Sequence, residues 1–94
     1  MRTVNTNLCP VCGYDLGFPA WRGAAASHEY CPSCGIQFGY HDDCEGNDEH
    51  ARRKIYEDWR NRWIAQGMKW SIQELHPPEG WDPIEQLRSI GIQV

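Results

Sequence analysis

The sequence predicts a small α+β fold, because a short cysteine motif occurs twice and the spacing of apolar residues becomes helical near residue 47. The two motifs are CPVCG at residues 9–13 and CPSCG at residues 31–35, called here the first and second knuckles. Eighteen residues lie between Cys12 and Cys31. Two cysteine pairs at this spacing are typical of a tetrahedral zinc site. We therefore predict a zinc ribbon, in which short antiparallel strands surround a four-cysteine site, packed by one long and one short C-terminal helix.

Each knuckle contains the residue types that a metal-binding turn requires. Pro10 and Pro32 fix the backbone dihedral φ after the first cysteine, and Gly13 and Gly35 can take the positive φ that ends the turn. Two intervening residues bring both sulfurs to one side of the turn, where metal–sulfur bonds of about 2.3 Å can form. The predicted ligands of one structural zinc ion are Cys9, Cys12, Cys31 and Cys34. A pair of disulfides or a set of buried thiols is the alternative.

The predicted ribbon occupies residues 1–45. Apolar or β-branched residues at even positions predict a strand over residues 4–8, leading into the first knuckle. After the second knuckle, a strand is predicted from alternation at three positions, Ile36, Phe38 and Tyr40. Residues 19–27 show no alternation and are predicted to form the loop between the knuckles.

The main helix is predicted over residues 47–67. Asn47 or Asp48 can serve as its N-cap, and Gly67 as its stop. Its apolar stripe is formed by Ile55, Tyr56, Trp59, Trp63 and Gln66. We expect this stripe to cover the open face of the ribbon.

A shorter helix is predicted over residues 82–91, and the whole chain, 1–94, is predicted to form a single domain. Asp82 is the expected N-cap, Pro83 the first helical residue, and Glu85 the partner of a capping box. Gly91 ends the helix.

The chain is small and its charge is unevenly distributed. Residues 1–48 carry two basic and six acidic side chains, whereas residues 49–94 carry seven of each sign. An acidic surface disfavours nucleic acid, whose phosphates require clustered Lys and Arg, and favours a basic protein partner. The predicted partner-binding residues of the acidic segment are Asp42, Asp43 and Glu45. Arg53 and Arg60 are added to them, because they lie seven residues apart and so project from one side of the predicted helix.

Two other classes of function are a nucleic-acid-binding protein and an enzyme. A nucleic-acid-binding ribbon would place four basic residues on phosphates, namely Arg52, Arg53, Lys54 and Arg60. An enzyme is not expected, because the chain has none of the motifs HExxH, GxSxG, GxGxxG or P-loop.

The fifth cysteine, Cys44, lies between His41 and His50. It could join a second metal site or act as a nucleophile with a histidine base, but an odd cysteine is more often an inert thiol. His28 could support the second knuckle or be an exposed loop residue.

The first eight residues lack the apolar stretch of a signal peptide, and no apolar run is long enough to cross a membrane. Five cysteines in a reducing compartment also favour metal binding over disulfides. We therefore expect a cytoplasmic protein.

Three segments of the chain, CPVCGY, EYCPSCGIQFGYHDD and GWDPIEQLRSIGI, resemble small bacterial cysteine-rich proteins of the CPCC type. The resemblance covers most of the chain, although the second knuckle reads CPSC rather than CPCC. The matching residues are Cys9, Cys12, Cys31 and Cys34. The resemblance implies a zinc-ribbon-like chain and a role as an immunity protein that neutralises a bacterial toxin.

The knuckles CPVCGY and CPSCG are also similar to the iron knuckles of rubredoxins. That similarity implies an iron-binding electron carrier as a further alternative. The interval of eighteen residues is shorter than in rubredoxins, which also do not require the two helices.

Overall fold

The structure is a computed structural model that describes residues 7–94, so most of the predicted strand over residues 4–8 lies outside the described residues. The elements, in chain order, are strands β1 (Trp21–Arg22) and β2 (Ala25–Ala26), a 3-10 turn (Glu45–Asn47), and helices α1 (Glu49–Ala65) and α2 (Pro83–Arg88). The chain is thus a small α+β structure with one long helix, as predicted.

The two knuckles have the same backbone structure. In each, the first cysteine donates its N–H to a carbonyl five residues later, and the glycine donates its N–H back to that cysteine's carbonyl, every N–O distance being 2.8 Å. An isolated antiparallel bridge closes each knuckle, Leu8 with Asp15 and Tyr30 with Gln37. Among the described residues, each knuckle is therefore flanked by a single bridge, at the place where the ribbon was predicted to have short strands.

The two-stranded sheet formed by β1 and β2 lies inside the segment predicted as a loop, so that prediction was wrong. Trp21 pairs with Ala26 and Arg22 with Ala25 in an antiparallel register. Gly23 takes a φ of 59° in the two-residue loop, a position where glycine is favoured in tight hairpins. The two strands show no alternation of apolar and polar residues. The hairpin nevertheless forms, because its turn is short and the Trp21 side chain is held by contacts outside the hairpin.

Helix α1 has the predicted caps but is shorter than the predicted 47–67. The Asp48 side chain accepts a hydrogen bond from the His50 N–H, so Asp48 rather than Asn47 is the N-cap. At the other end, Gly67 has a φ of 99°, and the Met68 N–H bonds the Trp63 carbonyl, which is the Schellman arrangement.

The apolar stripe of α1 is partly as predicted. Trp63 is buried, Tyr56 and Trp59 are partly buried, and Gln66 is exposed. Arg52 is also buried and stacks on the Trp21 ring, 3.8 Å from its centroid. A basic residue therefore completes the core-facing side of the helix near its N-terminus.

Helix α2 is also shorter than predicted, ending at Arg88 rather than residue 91. The Asp82 side chain accepts from the backbone N–H groups of Ile84 and Glu85. The Glu85 carboxylate pairs with Arg88 at 3.0 Å, so only the Asp82 half of the predicted capping box is present. Leu87 is fully buried and anchors the helix in the core.

The core is built around the cysteines. Four of the ten buried apolar residues of the described chain are Cys9, Cys12, Cys31 and Cys34. Of the three alternating positions after the second knuckle, Ile36 and Phe38 are fully buried, but Tyr40 is 71% exposed, because the chain turns after Gln37 instead of continuing as a strand. Within residues 7–94, no helix is both long and apolar enough to cross a membrane.

Candidate metal centre

The structure brings the four predicted cysteines together. Their sulfur atoms all lie within 4.8 Å of one another. The Sγ atoms of Cys9 and Cys34 are 3.8 Å apart, and those of Cys12 and Cys31 are 3.6 Å apart. Each of these close pairs joins the two knuckles, so a bound ion would link the two halves of the repeat.

This arrangement fits a tetrahedral ion and does not fit disulfides. Around an ion with metal–sulfur bonds of about 2.3 Å, neighbouring sulfurs are about 3.8 Å apart. A disulfide requires about 2.05 Å, and all five cysteines are free. Four sulfur donors are typical of zinc and of iron–sulfur sites. The cluster can therefore hold one metal ion.

The thiols of the cluster are poorly hydrated. Burial raises the pKa of Cys9 and of Cys34 well above the ordinary thiol value. Burial also acts to raise the pKa of Cys12, but hydrogen bonds from neighbouring groups, Cys31 first, lower it overall. Metal ions bind thiolates, so a cation must displace the remaining thiol protons when it binds.

Helix α1 contacts both knuckles through two consecutive side chains. The Trp59 indole Nε1 donates to the Cys34 carbonyl at 2.9 Å. The Arg60 guanidinium donates from Nε to the Val11 carbonyl at 2.7 Å and from Nη2 to the Pro10 carbonyl at 2.8 Å. One short piece of helix therefore fixes a backbone group in each half of the cluster.

The second knuckle is also held by backbone and by α2. The Ser71 N–H donates to the carbonyls of Pro32 and Ser33 at 3.0 and 3.1 Å, and the Ile72 N–H donates to Pro32 at 3.0 Å. The Gln86 side chain donates to the Ser33 hydroxyl at 2.9 Å. Residues 71–72 and helix α2 therefore both hold the second knuckle.

A cavity of about 270 Å³ opens beside the second knuckle. Its walls include Cys34, Gly35, Trp59 and Arg62. Cys34 is 5% exposed, whereas the other three cysteines are fully buried. Solvent therefore approaches the cluster from the Cys34 side.

Asp42, predicted on the partner surface, is instead fully buried. Its carboxylate accepts from the Gly39 N–H at 2.6 Å, the Trp21 Nε1 at 2.8 Å and the Tyr56 hydroxyl at 2.6 Å. Because these donors enclose the carboxylate, Asp42 ties the β1–β2 hairpin to α1 and presents no charge to a partner. This corrects its placement on the surface.

Arg60, also predicted on the partner surface, is partly buried, and its guanidinium donates to the first knuckle. The remaining predicted residues, Asp43, Glu45 and Arg53, are exposed. Of the four basic residues considered for phosphate binding, Arg52 is buried and Arg60 is bonded to the knuckle, while Lys54 forms an exposed pair with Asp58 at 3.4 Å.

Cys44 lies apart from the four-cysteine group, which is the metal-ligand cluster found among residues 7–94. Its Sγ donates to the Asp48 carbonyl at 3.3 Å, beside the start of α1. The His41 Nδ1 accepts from the Gln37 N–H at 2.9 Å. These contacts give Cys44 and His41 separate local roles in the turns before the helix.

The sequence did not single out the side chains that support the cluster. Trp59 was expected in the core stripe, and Arg60 shares its helix face with Arg53 at a spacing of seven residues. No local signal separates the two arginines, because the carbonyls that accept from Arg60 lie about fifty residues away in the chain.

The chain is similar to a protein of Bacillus subtilis (strain 168) described as the uncharacterized protein YoaQ. The two are 28% identical over 80 residues, which cover 76% of this chain and 68% of that one. No family model matches the chain. No solved structure matches it either.

Proposed function

We propose that this is a non-enzymatic protein in which one structural zinc ion organises a zinc-ribbon fold for binding another protein. The observation that carries the proposal is the buried four-cysteine cluster, whose sulfur spacing fits a tetrahedral ion. Four thiolates fill the coordination of zinc and leave no position for a reacting water. The metal would therefore act in folding rather than in catalysis.

A structural role for the ion is supported by the position of the cluster in the core. The cysteines supply four of the ten buried apolar residues of the described chain, so a bound ion would replace much of the packing that a short chain lacks. Binding of structural zinc can contribute about 10–16 kcal/mol to folding. A rubredoxin-like iron carrier would use the same four donors, and the metal content distinguishes the two.

The proposed partner surface is the exposed segment before α1 together with the first turns of that helix. Asp43 and Glu45 lie on this segment and Arg53 on the helix, all with exposed side chains. Surface charges of this kind steer association and select partners of complementary charge. The proposed partner is therefore a protein with a basic site.

The finer proposal, that the partner is a bacterial toxin and this chain its immunity protein, rests on the resemblance to CPCC-type proteins and on the acidic first half. In that case the acidic segment covers a basic site of the toxin. The proposed location is the bacterial cytoplasm, where reducing conditions keep metal-binding cysteines as thiols.

The experiment is affinity capture from the native cell with the wild type and with Asp43→Lys/Glu45→Lys. We expect a partner that the wild type retains at low salt and releases as salt rises, and that the double variant fails to retain. The matched control is Glu74→Lys/Glu79→Lys, which makes the same change in charge at two other exposed positions.

Equal retention by the wild type and both variants would contradict the proposed surface. Retention that nuclease treatment abolishes would instead support the alternative of a nucleic-acid-binding ribbon. That alternative now depends mainly on Arg53 and Lys54, since Arg52 and Arg60 are engaged within the fold.

A further inference from the structure

The two halves of the metal cluster are held to helix α1 by neighbouring side chains, Trp59 on the second knuckle and Arg60 on the first. We propose that Arg60 and Trp59 are positioning residues of the metal site, which fix the two knuckles at the separation the ion requires and so set how tightly it is retained. The inference rests on the metal binding proposed above.

The two knuckles are alike in backbone structure but differ in what supports them. In the second knuckle, the carbonyls of Pro32 and Ser33 accept from the backbone N–H of Ser71. In the first knuckle, the equivalent carbonyls, those of Pro10 and Val11, accept from Arg60. The Arg60 guanidinium therefore makes, in the first knuckle, the two hydrogen bonds that the Ser71 backbone N–H makes in the second.

The shape of the arginine side chain suits this role. A guanidinium presents its N–H groups in a rigid fork, so it can hold two carbonyl groups in a fixed relation, which a lysine ammonium does less well. Residues 59 and 60 are consecutive in α1, so the helix fixes the angle of about 100° between the directions in which their side chains leave it. The helix therefore acts as a rigid link between the knuckles.

Hydrogen bonds to the ligands of a metal ion have a known effect on its binding. Groups that hydrogen-bond to metal ligands orient them, and their removal typically lowers metal affinity by about 10–100-fold. Trp59 bonds the backbone of a ligand, Cys34, and Arg60 bonds both residues between Cys9 and Cys12. Both contacts act directly on the turns that carry the sulfurs.

The test uses full-length Arg60→Gln, Arg60→Lys and Trp59→Phe, loaded with zinc, and follows transfer of the ion to a chromogenic chelator under native conditions. We expect transfer from Arg60→Gln and Trp59→Phe to be about 10–100-fold faster than from the wild type. Arg60→Lys should lie between Arg60→Gln and the wild type, because it keeps the charge but not the fork.

Two matched controls come from the same helix. Arg53→Gln removes an exposed arginine seven residues before Arg60 and should leave the rate of metal transfer unchanged. Trp63→Phe removes a buried indole whose N–H donates to the Lys69 carbonyl instead of a knuckle. Trp63→Phe should lower the unfolding temperature, and its rate of metal transfer should rise less than that of Arg60→Gln or Trp59→Phe at the same loss of stability.

A second readout separates positioning from general loss of stability. During chelator treatment, alkylated cysteines are identified by mass spectrometry. In Arg60→Gln, we expect Cys9 and Cys12 to be modified earlier than in Trp59→Phe, because Arg60 holds only their knuckle. In Trp59→Phe, Cys34 should be modified earlier than it is in the wild type.

Three results are distinguishable. A wild type that is folded but binds no metal would contradict the proposed function itself. A metal-loaded wild type with variants that release the ion at the wild-type rate would overturn this inference alone. Variants whose alkylation order and release rate follow Trp63→Phe would also overturn it, since their effect would be general destabilisation.

Discussion

At the scale of single residues, Asp42 shows that the fold can bury a residue whose sequence surroundings predict a surface position. It lies in an acidic segment, which predicts a solvated surface, yet it is fully buried. Its three donors come from residues 21, 39 and 56, two of which are far from it in sequence. Only the folded chain brings them together, so the sequence could not identify this carboxylate as a structural one.

Replacing Asp42 with Asn is expected to destabilise the protein by about 2–3 kcal/mol, because a charged acceptor is lost and buried donors are left without equal partners. The measurement is the free energy of unfolding of the metal-loaded protein in denaturant. The control, Asp43→Asn, changes an exposed residue next to it and should cost less than about 0.5 kcal/mol. Equal effects of the two substitutions would contradict the buried network.

Tyr56 provides a prediction on pH. Burial, followed by the hydrogen bond to Asp42, raises the pKa of Tyr56 well above the ordinary tyrosine value, which is about 10. Because the folded-state pKa is raised, the stabilisation from Tyr56 is complete below about pH 10 and is lost as the pH rises above that value. Absorbance titration should show a tyrosine that ionises only as the protein unfolds, and the absorbance change at this late step should be smaller in Tyr56→Phe. A late step of unchanged size in Tyr56→Phe would contradict the assignment.

At the scale of elements, local sequence signals predicted the knuckles and the helices. Tertiary contacts determined the β1–β2 hairpin and the contacts between α1 and the knuckles. Asp48, Gly67 and Asp82 have the capping roles expected of them. The β1–β2 hairpin was missed because its residues lack alternation, and its Trp21 side chain is held by Asp42 and stacks under Arg52. The four cysteines of the cluster were identifiable because their spacing is local, and the supports from α1 were not.

The packing of α2 on the first knuckle can be tested with two glycines. Gly13 and Gly17 have similar positive φ values, 83° and 81°, but a Cβ at Gly13 would collide with the Gln86 carbonyl, whereas one at Gly17 would meet nothing within 4 Å. Gly17→Ala should cost about 1–2 kcal/mol from backbone strain alone. Gly13→Ala should cost a further 1–3 kcal/mol or so from the collision.

The measurement for the glycine pair is again the free energy of unfolding, with near-ultraviolet circular dichroism to follow the Trp81 environment beside α2. Trp81 donates to the Gln86 side chain at 2.9 Å, so displacement of α2 should alter its signal in Gly13→Ala only. Equal losses of stability in the two variants would show that α2 does not pack closely on the knuckle.

At the scale of the whole molecule, the four cysteines are the point at which both knuckles and helix α1 meet. Each close sulfur pair joins the two knuckles, and Trp59 and Arg60 connect them to the helix. An ion at this point would bind all of these parts at once. Folding of the chain and metal binding should therefore be one cooperative event.

Removal of the metal with a strong chelator is expected to unfold most of the chain. The helical signal in far-ultraviolet circular dichroism should fall, and addition of zinc should restore it, because α1 rests on knuckles that the proposed ion would hold together. Cys9→Ser should show the same low helicity without chelator, whereas Cys44→Ser should resemble the wild type. A chelated protein with full helical signal would mean that the fold does not require the ion.

The most direct test of the central claim is the metal content of the purified wild-type protein, measured by inductively coupled plasma mass spectrometry. The structure and its proposed function predict one zinc ion per chain, retained in Cys44→Ser and lost in Cys34→Ser. One iron ion per chain, or a folded wild type without metal, would contradict the claim that a structural zinc ion at Cys9, Cys12, Cys31 and Cys34 holds this fold together.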